Sequence, residues 1–273
     1  MIITNYTIQC VWDGTLAGII LKNDAFVTGR FGQTTTKIIG IHGWLDNLNS
    51  LLPLAKQLID RHPNYEIYLY DRAGHGFSGH IPKGFDYSNA HNMQDLRYII
   101  QTLGWSKEKF SIIGHSYGAV LGMIYAASYP KEVLCLVAID AVVQTDILSG
   151  NFFKVHGSRI DITLKFHSKP LRTSDVGLTF EKVFELTKAT RRGITDEAAR
   201  LLTERSFRRD TDNKLYFTRD DSLRLLALTP FTDDMTRNTI ETIEASVLFI
   251  GATTPEWPRS QKSLDLLKEH NPN

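Results

Sequence analysis

Cysteine is nearly absent from this 273-residue sequence, which contains only Cys10 and Cys135. Two thiols cannot build a disulfide framework or a cysteine metal site. Both lie in apolar runs, where a buried free thiol is the ordinary reading. An excess of either charge is also missing: 31 Lys+Arg stand against 30 Asp+Glu, a net charge of +1. That balance lacks the basic footprint of nucleic-acid binding. No run approaches the roughly 18–20 apolar residues that span a bilayer; the longest tight one, Val133–Ile139, has the length of a strand. The N-terminus has no basic stretch and reaches Asp13 early, so no secretory signal is read there. The closing His270-Asn271-Pro272-Asn273 is not a peroxisomal address. A reducing, cytoplasmic setting is expected, with no nucleic-acid partner and no membrane span.

What is present is ordinary globular material. Hydrophobic residues make up 42% of the chain, enough for one large α/β domain or two small ones. Short β-branched runs alternate with helical patterns. Tyr6–Cys10 and Leu16–Leu21 read as a strand pair turning at Asp13-Gly14. Strands follow at Lys37–Ile41, Glu66–Tyr70, Phe110–Ile113 and Val133–Ile139. Helices are expected between them at Leu51–Ile59, Asn89–Leu103 and Ala119–Ser128. This rhythm predicts a mostly parallel, doubly wound sheet. From about Thr145 to Asn238 the chain turns polar and helical, with Glu181–Ala189 and then Asp196–Arg205 behind the N-cap Thr195. Strand character returns at Ser246–Ile250, before a helix at Gln261–Lys268. The division expected is therefore a core of residues 1–144 and 239–273, and a helical cap of residues 145–238 over the strand ends. The Arg191–Arg192 and Arg208–Arg209 pairs of the cap could attract anionic substrates; solvated surface charge is the plainer reading.

The sharpest signal is Gly114-His115-Ser116-Tyr117-Gly118, a G-x-S-x-G set between a strand and a helix. That context is the one a nucleophile elbow needs, and it makes Ser116 the candidate nucleophile. Small residues at 114 and 118 let strand and helix approach closely. A second signal is Ile41-His42-Gly43-Trp44, directly after a strand. On such a scaffold the loop there donates a backbone N–H to a developing oxyanion, and the residue after the nucleophile supplies the other. The candidates are the N–H groups of Trp44 and Tyr117. His42 is read as a structural histidine fastening its loop. The glycine-rich Asp71–Ser78 segment matches neither G-x-G-x-x-G nor G-x-x-x-x-G-K-[ST], so no dinucleotide cofactor is expected; nor is any other cofactor or metal.

In their order, His-Gly-Trp, Asp-Arg-x-Gly-His-Gly-x-Ser and Gly-His-Ser-x-Gly resemble the α/β-hydrolase superfamily. The segments IHGWLDNLNSLLPLAKQL, TDEAARLLTERSF and YFTRDDSLRL are similar to its serine hydrolase-like branch. The resemblance runs from about Lys37 to Gly251. It implies an α/β-hydrolase fold and hydrolysis of an ester or amide of a small-molecule acyl substrate. A serine at the elbow sets the chain apart from the epoxide hydrolases and dehalogenases, which the resemblance implies use a carboxylate.

The resemblance also implies an acid and a histidine base. Where many members carry Gly-x-x-Asp, this sequence reads Gly251-Ala252-Thr253-Thr254, with Glu256 two residues on. Other members take the acid from the end of the strand after the elbow helix, which here is Asp140. Three readings stay open: Asp140 as triad acid, Asp140 as a loop-capping carboxylate, and Glu256 as the acid. The base is expected on a loop beyond a further strand, and the sequence ends where that strand would begin. His270 precedes it. His115 neighbours Ser116 on a sharp turn, where adjacent side chains diverge, and no motif elects His75, His80, His91, His156 or His167. The expectation is a chain with impaired activity or a binding module on this scaffold, set against an active serine hydrolase. Without that strand, Val247, Leu248, Phe249 and Ile250 would form an exposed apolar edge open to association.

Overall fold

Strands buried on both faces need near-continuous apolar runs, and Ile38–Ile41, Ile67–Tyr70, Ile112–Ile113 and Val133–Ile139 supply most of them. A computed structural model describes residues 1–24, 34–145, 151–169, 179–191, 193–209, 215–225, 231–254 and 260–271. Its main sheet has seven strands in the spatial order β1-β2-β4-β3-β5-β6-β9. β1 (Ile2–Gln9) and β2 (Thr15–Lys22) form an antiparallel hairpin at one edge, and β2 runs antiparallel to β4 (Tyr65–Tyr70). β3 (Thr36–Ile41), β5 (Phe110–His115), β6 (Val133–Ile139) and β9 (Ser246–Ile250) continue the sheet in parallel.

Alternation along β3 and β4 divides the core in two. Ile38, Ile67 and Leu69 face one side, where α1 (Leu52–Arg61) buries Ala55 and Ile59 against them. Ile39, Ile41, Tyr68 and Tyr70 face the other. There they meet α2 (Asn89–Thr102) through Leu96, Ile99 and Ile100, and α3 (Tyr117–Ser128) through Leu121, Met123 and Tyr125. Every sequence-predicted strand and helix from Lys37 to Ile139 is found, with no end moved by more than two residues. Helix α3 starts earlier than expected, at Tyr117, because Ser116 already accepts the first turn's N–H groups.

Between β6 and β9 the described residues form α4 (Phe152–His167), α5 (Phe180–Ala189), α6 (Asp196–Glu204) and a small hairpin of β7 (Phe207–Arg209) and β8 (Leu215–Phe217). Thr179 and Thr195 cap α5 and α6 by accepting the N–H groups of Lys182 and Ala198. This insertion is fastened to the loops at the carboxyl ends of β3 and β4. Asn47 and Asn49 donate to the carbonyls of Leu202 and Leu201 at 3.1 and 2.8 Å. Arg205 donates through Nε to the fully buried Asp71 at 2.6 Å.

After the insertion comes α7 (Asp233–Thr242), which the sequence pattern did not single out. It buries Ile240 in the main core beside α8 (Gln261–His270), which contributes Leu267. A division at residue 238 would cut through α7. At the sheet edge, Leu248 and Ile250 are 54% and 48% exposed. Val247 and Phe249 instead pack inward against the main core. The edge is not bare either: Asn271 accepts the Val247 N–H at 2.9 Å and donates to the Ala245 carbonyl at 2.7 Å. Among the described residues no helix is long and apolar enough to cross a membrane.

Asp71 tests how the insertion is held. Burial raises its carboxyl above the ordinary value, while Arg205 and the N–H groups of Leu48 and Phe77 oppose that rise. Removing one member of such a pair leaves the other charge buried and alone. Arg205→Ala is therefore expected to cost about 3–5 kcal/mol at neutral pH, read by chemical denaturation. A carboxyl whose folded pKa is raised gains stability as it takes up a proton, so the deficit should shrink as pH falls through that raised value. A deficit that stays constant with pH would mean that Asp71 does not carry it.

Candidate active site

At the end of β5 the chain must reverse from strand to helix within one residue, and Ser116 takes the strain. Its φ of 52° and ψ of −122° lie outside the regions that side chains favour, a conformation costing on the order of 1–3 kcal/mol. The Ser116 N–H donates to the Ile139 carbonyl of β6 at 2.8 Å, and its own carbonyl accepts the Ala119 N–H at 2.8 Å. Both flanking glycines are required by space. A Cβ at Gly118 would sit 2.1 Å from the Ile41 carbonyl oxygen, and one at Gly114 would sit 2.4 Å from that of Gly118. The helix thus lies directly on the end of β3.

That approach brings the loop after β3 against the elbow. A Cβ on Gly43 would stand 3.3 Å from the Ser116 Cβ, so the backbone leading into Trp44 passes beside the serine. Leu45 bends the loop away with a φ of 58°. The Trp44 and Tyr117 rings meet edge to face at 5.1 Å. Both cover the guanidinium of Arg72, which lies 5.2 Å from the Trp44 ring and 4.6 Å from the Tyr117 ring. Arg72 is 2% exposed and donates to the Gly43 carbonyl at 2.9 Å and to Asn92 at 3.1 Å. Sequence reasoning missed Arg72 and Asn92. Only the Asp71-Arg72 pair inside a resembled motif hinted at the first, and nothing local signals the second.

Two histidines complete the support, and their tautomers follow from their partners. The Arg72 backbone N–H can only donate, so His42 Nε2 accepts it at 3.0 Å and Nδ1 donates to the Gly43 carbonyl at 2.7 Å. His75 repeats the pattern: Nε2 accepts the Leu45 N–H at 3.1 Å, and Nδ1 donates to the Ala73 carbonyl at 2.9 Å. Burial, reinforced by Arg72, pushes both imidazoles well below the ordinary histidine value. With both nitrogens committed, neither ring is free to take a proton from Ser116.

Asp140 ends β6, beside the elbow strand, with a φ of 65°. Its N–H donates to the Ile250 carbonyl at 2.7 Å, and its Oδ1 accepts the Ala252 N–H at 3.1 Å. Ser116 and Asp140 therefore stand at the carboxyl ends of neighbouring strands. Glu256 lies outside the described residues. His270, 3.9 Å from Glu241, precedes the Asn271 that ties down the start of β9, so it sits at the opposite end of the sheet from Ser116. His115 Nδ1 lies 3.9 Å from Asp46, whose carboxyl burial raises while Arg191 and His115 lower it. His80 bonds the Thr218 carbonyl at 2.6 Å, and His91 lies 3.4 Å from Asp95. Among the described residues no group of three His, Cys, Asp or Glu could hold a metal ion.

Comparison with known proteins agrees with the fold. The alpha/beta hydrolase fold family matches residues 37–238. A serine hydrolase-like protein of Danio rerio is 28% identical over 217 residues, covering 78% of this chain and 64% of the relative. A probable serine hydrolase of Drosophila melanogaster is 30% identical over 216 residues, covering 78% and 63%. The chain thus spans under two thirds of the length of these relatives. A solved structure of a hypothetical protein from Pseudomonas aeruginosa PAO1 superposes with a TM-score of 0.80 at 25% identity, over 97% of this chain and 87% of that one. The chain belongs to the alpha/beta hydrolase fold family and is similar to serine hydrolase-like proteins within it.

The two locked histidines give a direct check. In imidazole 15N spectra, His42 and His75 should hold their Nδ1–H form without titrating between about pH 5 and 8. Their contribution to stability is complete above the ordinary histidine range. It should fall by about 1.4 kcal/mol per pH unit for each ring below about pH 6.5, because the unfolded chain then binds the extra proton. A midpoint near 6.5 for either ring would show that it is not locked.

Proposed function

We propose that this protein is a serine hydrolase acting on an ester or amide of a small acyl substrate. The observation behind the reading is the meeting of the strained Ser116 with the Gly43–Trp44 backbone. In the proposed reaction Ser116 Oγ attacks the substrate carbonyl carbon as its proton passes to a general base, and the carbonyl π pair moves onto oxygen. The base later returns that proton to the departing alcohol or amine. The N–H groups of Trp44 and Tyr117 hold that oxyanion, each worth about 2.7–4 kcal/mol of barrier. Collapse expels the alcohol or amine, and water then hydrolyses the acyl-serine. Asp140 is proposed as the acid that orients the base, its position on the strand beside the elbow supporting it over a purely loop-capping role. The insertion is proposed to cap the site, with its boundary before Asp233.

A second reading, in which the chain binds acyl compounds without turning them over, is favoured by the places of three described histidines. His42 and His75 have committed both nitrogens, and His270 is at the far end of the sheet.

A fluorophosphonate probe, which reports an activated serine, separates the two readings. Labelling of the parent chain that is abolished by Ser116→Ala and slowed by orders of magnitude in Asp140→Asn supports the hydrolase. No labelling of a folded parent chain supports the binding module. Labelling unaffected by Asp140→Asn would remove Asp140 from the triad.

A further inference from the structure

Between the insertion and the loop after β3 lies a cavity of about 220 Å3 whose floor is Leu45, Asp46 and Asn47, the residues directly after Trp44. Its walls include the apolar Leu186 and Phe217, and three arginines: Arg191, Arg219 and Arg224. Three guanidiniums against the single carboxylate of Asp46 make it a cationic chamber. The volume lies below the range common for drug-sized ligands, so it suits a short chain.

The three arginines are not equivalent. Arg191 donates to the Leu45 carbonyl at 3.2 Å and stands 4.0 Å from Asp46. Arg224 is on the exposed rim, 3.7 Å from Asp221. Arg219 is partly buried, and among the described residues no carboxylate forms an ion pair with it. Burial, then Arg224 and Arg191, push its guanidinium below the ordinary arginine value, and Asp221 only partly offsets this. Sequestering an unpaired cation is unfavourable unless an anion joins it.

The backbone around Arg219 is built to hold it there. On one side Thr218 donates its N–H to the Ser206 carbonyl at 3.1 Å, and its own carbonyl is bonded to His80 at 2.6 Å. On the other side Asp220 donates its N–H to the Gly74 carbonyl at 2.9 Å and accepts the Tyr87 hydroxyl at 2.7 Å. A residue clamped on both sides, with no ion-pair partner among the described residues, is prepared for a ligand.

We infer that this cavity binds the anionic end of the substrate, a carboxylate or a phosphate, with Arg219 as its principal contact. A guanidinium forks onto either group with two parallel hydrogen bonds. The substrate would then be an acyl compound whose far end carries that charge, held while its carbonyl reaches Ser116. The inference rests on the hydrolase reading for the bond that is cut, and not for the binding of the anion.

The test is calorimetric binding to the full chain carrying Ser116→Ala, which cannot turn over. Monomethyl glutarate is compared with the neutral dimethyl glutarate, and butyl phosphate with butanol; the larger gain identifies the anion. At least about tenfold tighter binding of one anionic probe is expected. Arg219→Gln should abolish that preference, Arg219→Lys should keep part of it, and Arg224→Gln should weaken it only a few-fold. Equal binding of charged and neutral probes overturns the inference, as does a preference that survives Arg219→Gln at an unchanged melting temperature. If Arg219→Gln fails to fold, Arg219→Lys decides: a preference undiminished in a folded Lys variant counts against the forked contact. Because fluorophosphonate labelling is read separately, an anion preference without labelling sinks the hydrolase reading alone, and labelling without a preference sinks this one alone.

Discussion

Everything at the carboxyl end of this sheet is arranged around one buried guanidinium. Arg72 has no carboxylate against it among its closest partners; it is held by the Gly43 carbonyl, by Asn92 and by the faces of Trp44 and Tyr117. Those two residues carry the N–H groups proposed to face the oxyanion. Burial, reinforced by the same charge, keeps His42 and His75 neutral, and neutral rings can accept the backbone N–H groups of Arg72 and Leu45. One side chain thus couples the loop after β3, the loop after β4 and the first residue of helix α3.

The elbow depends on the same closeness from the other direction. Gly118 presses helix α3 onto the end of β3, where any side chain would collide with Ile41. Gly43 then lets the turning loop pass Ser116 without a Cβ between them. The insertion adds a second buried charge to this floor, through Arg205 on Asp71, and it covers the loops without entering the sheet. Ser116 and Asp140 share the unusual positive φ at the ends of adjacent strands. Strain concentrated at the rim of a rigid sheet is where preorganised chemistry is commonly found.

The sheet was legible from sequence because its strands are continuous apolar runs, whose ends differ little between pattern and structure. Val133–Ile139 and Ser246–Ile250 match to the residue. The elbow was legible because its glycines are imposed by contacts within a short stretch. What escaped was long-range or weakly patterned. Arg205 meets Asp71 across 134 residues, and no local spacing announces that. Helix α4 leaves Phe153, Ile162 and Leu164 exposed, so its apolar residues follow no single face. Helix α7 begins with the polar Asp233 and Asp234 that favour a helix N-terminus, yet few apolar residues mark its buried side. One arginine of each pair that stood out in sequence reaches across to the sheet's loops: Arg191 to the Leu45 carbonyl, and Arg208 to the Phe77 carbonyl. Arg219, which did not stand out, lines the cavity with no ion-pair partner among the described residues.

The dependence of the site on Arg72 can be measured by hydrogen exchange on the intact chain. In Arg72→Gln, amides of residues 42–48 and 71–77 should exchange much faster, while β3 and β5 keep their protection as an internal reference. Arg72→Lys should show a smaller gain, since it retains the charge and loses the fork. Unchanged protection of both loops in Arg72→Gln would mean that they hold their shape without the guanidinium, and the central role given to Arg72 would be contradicted.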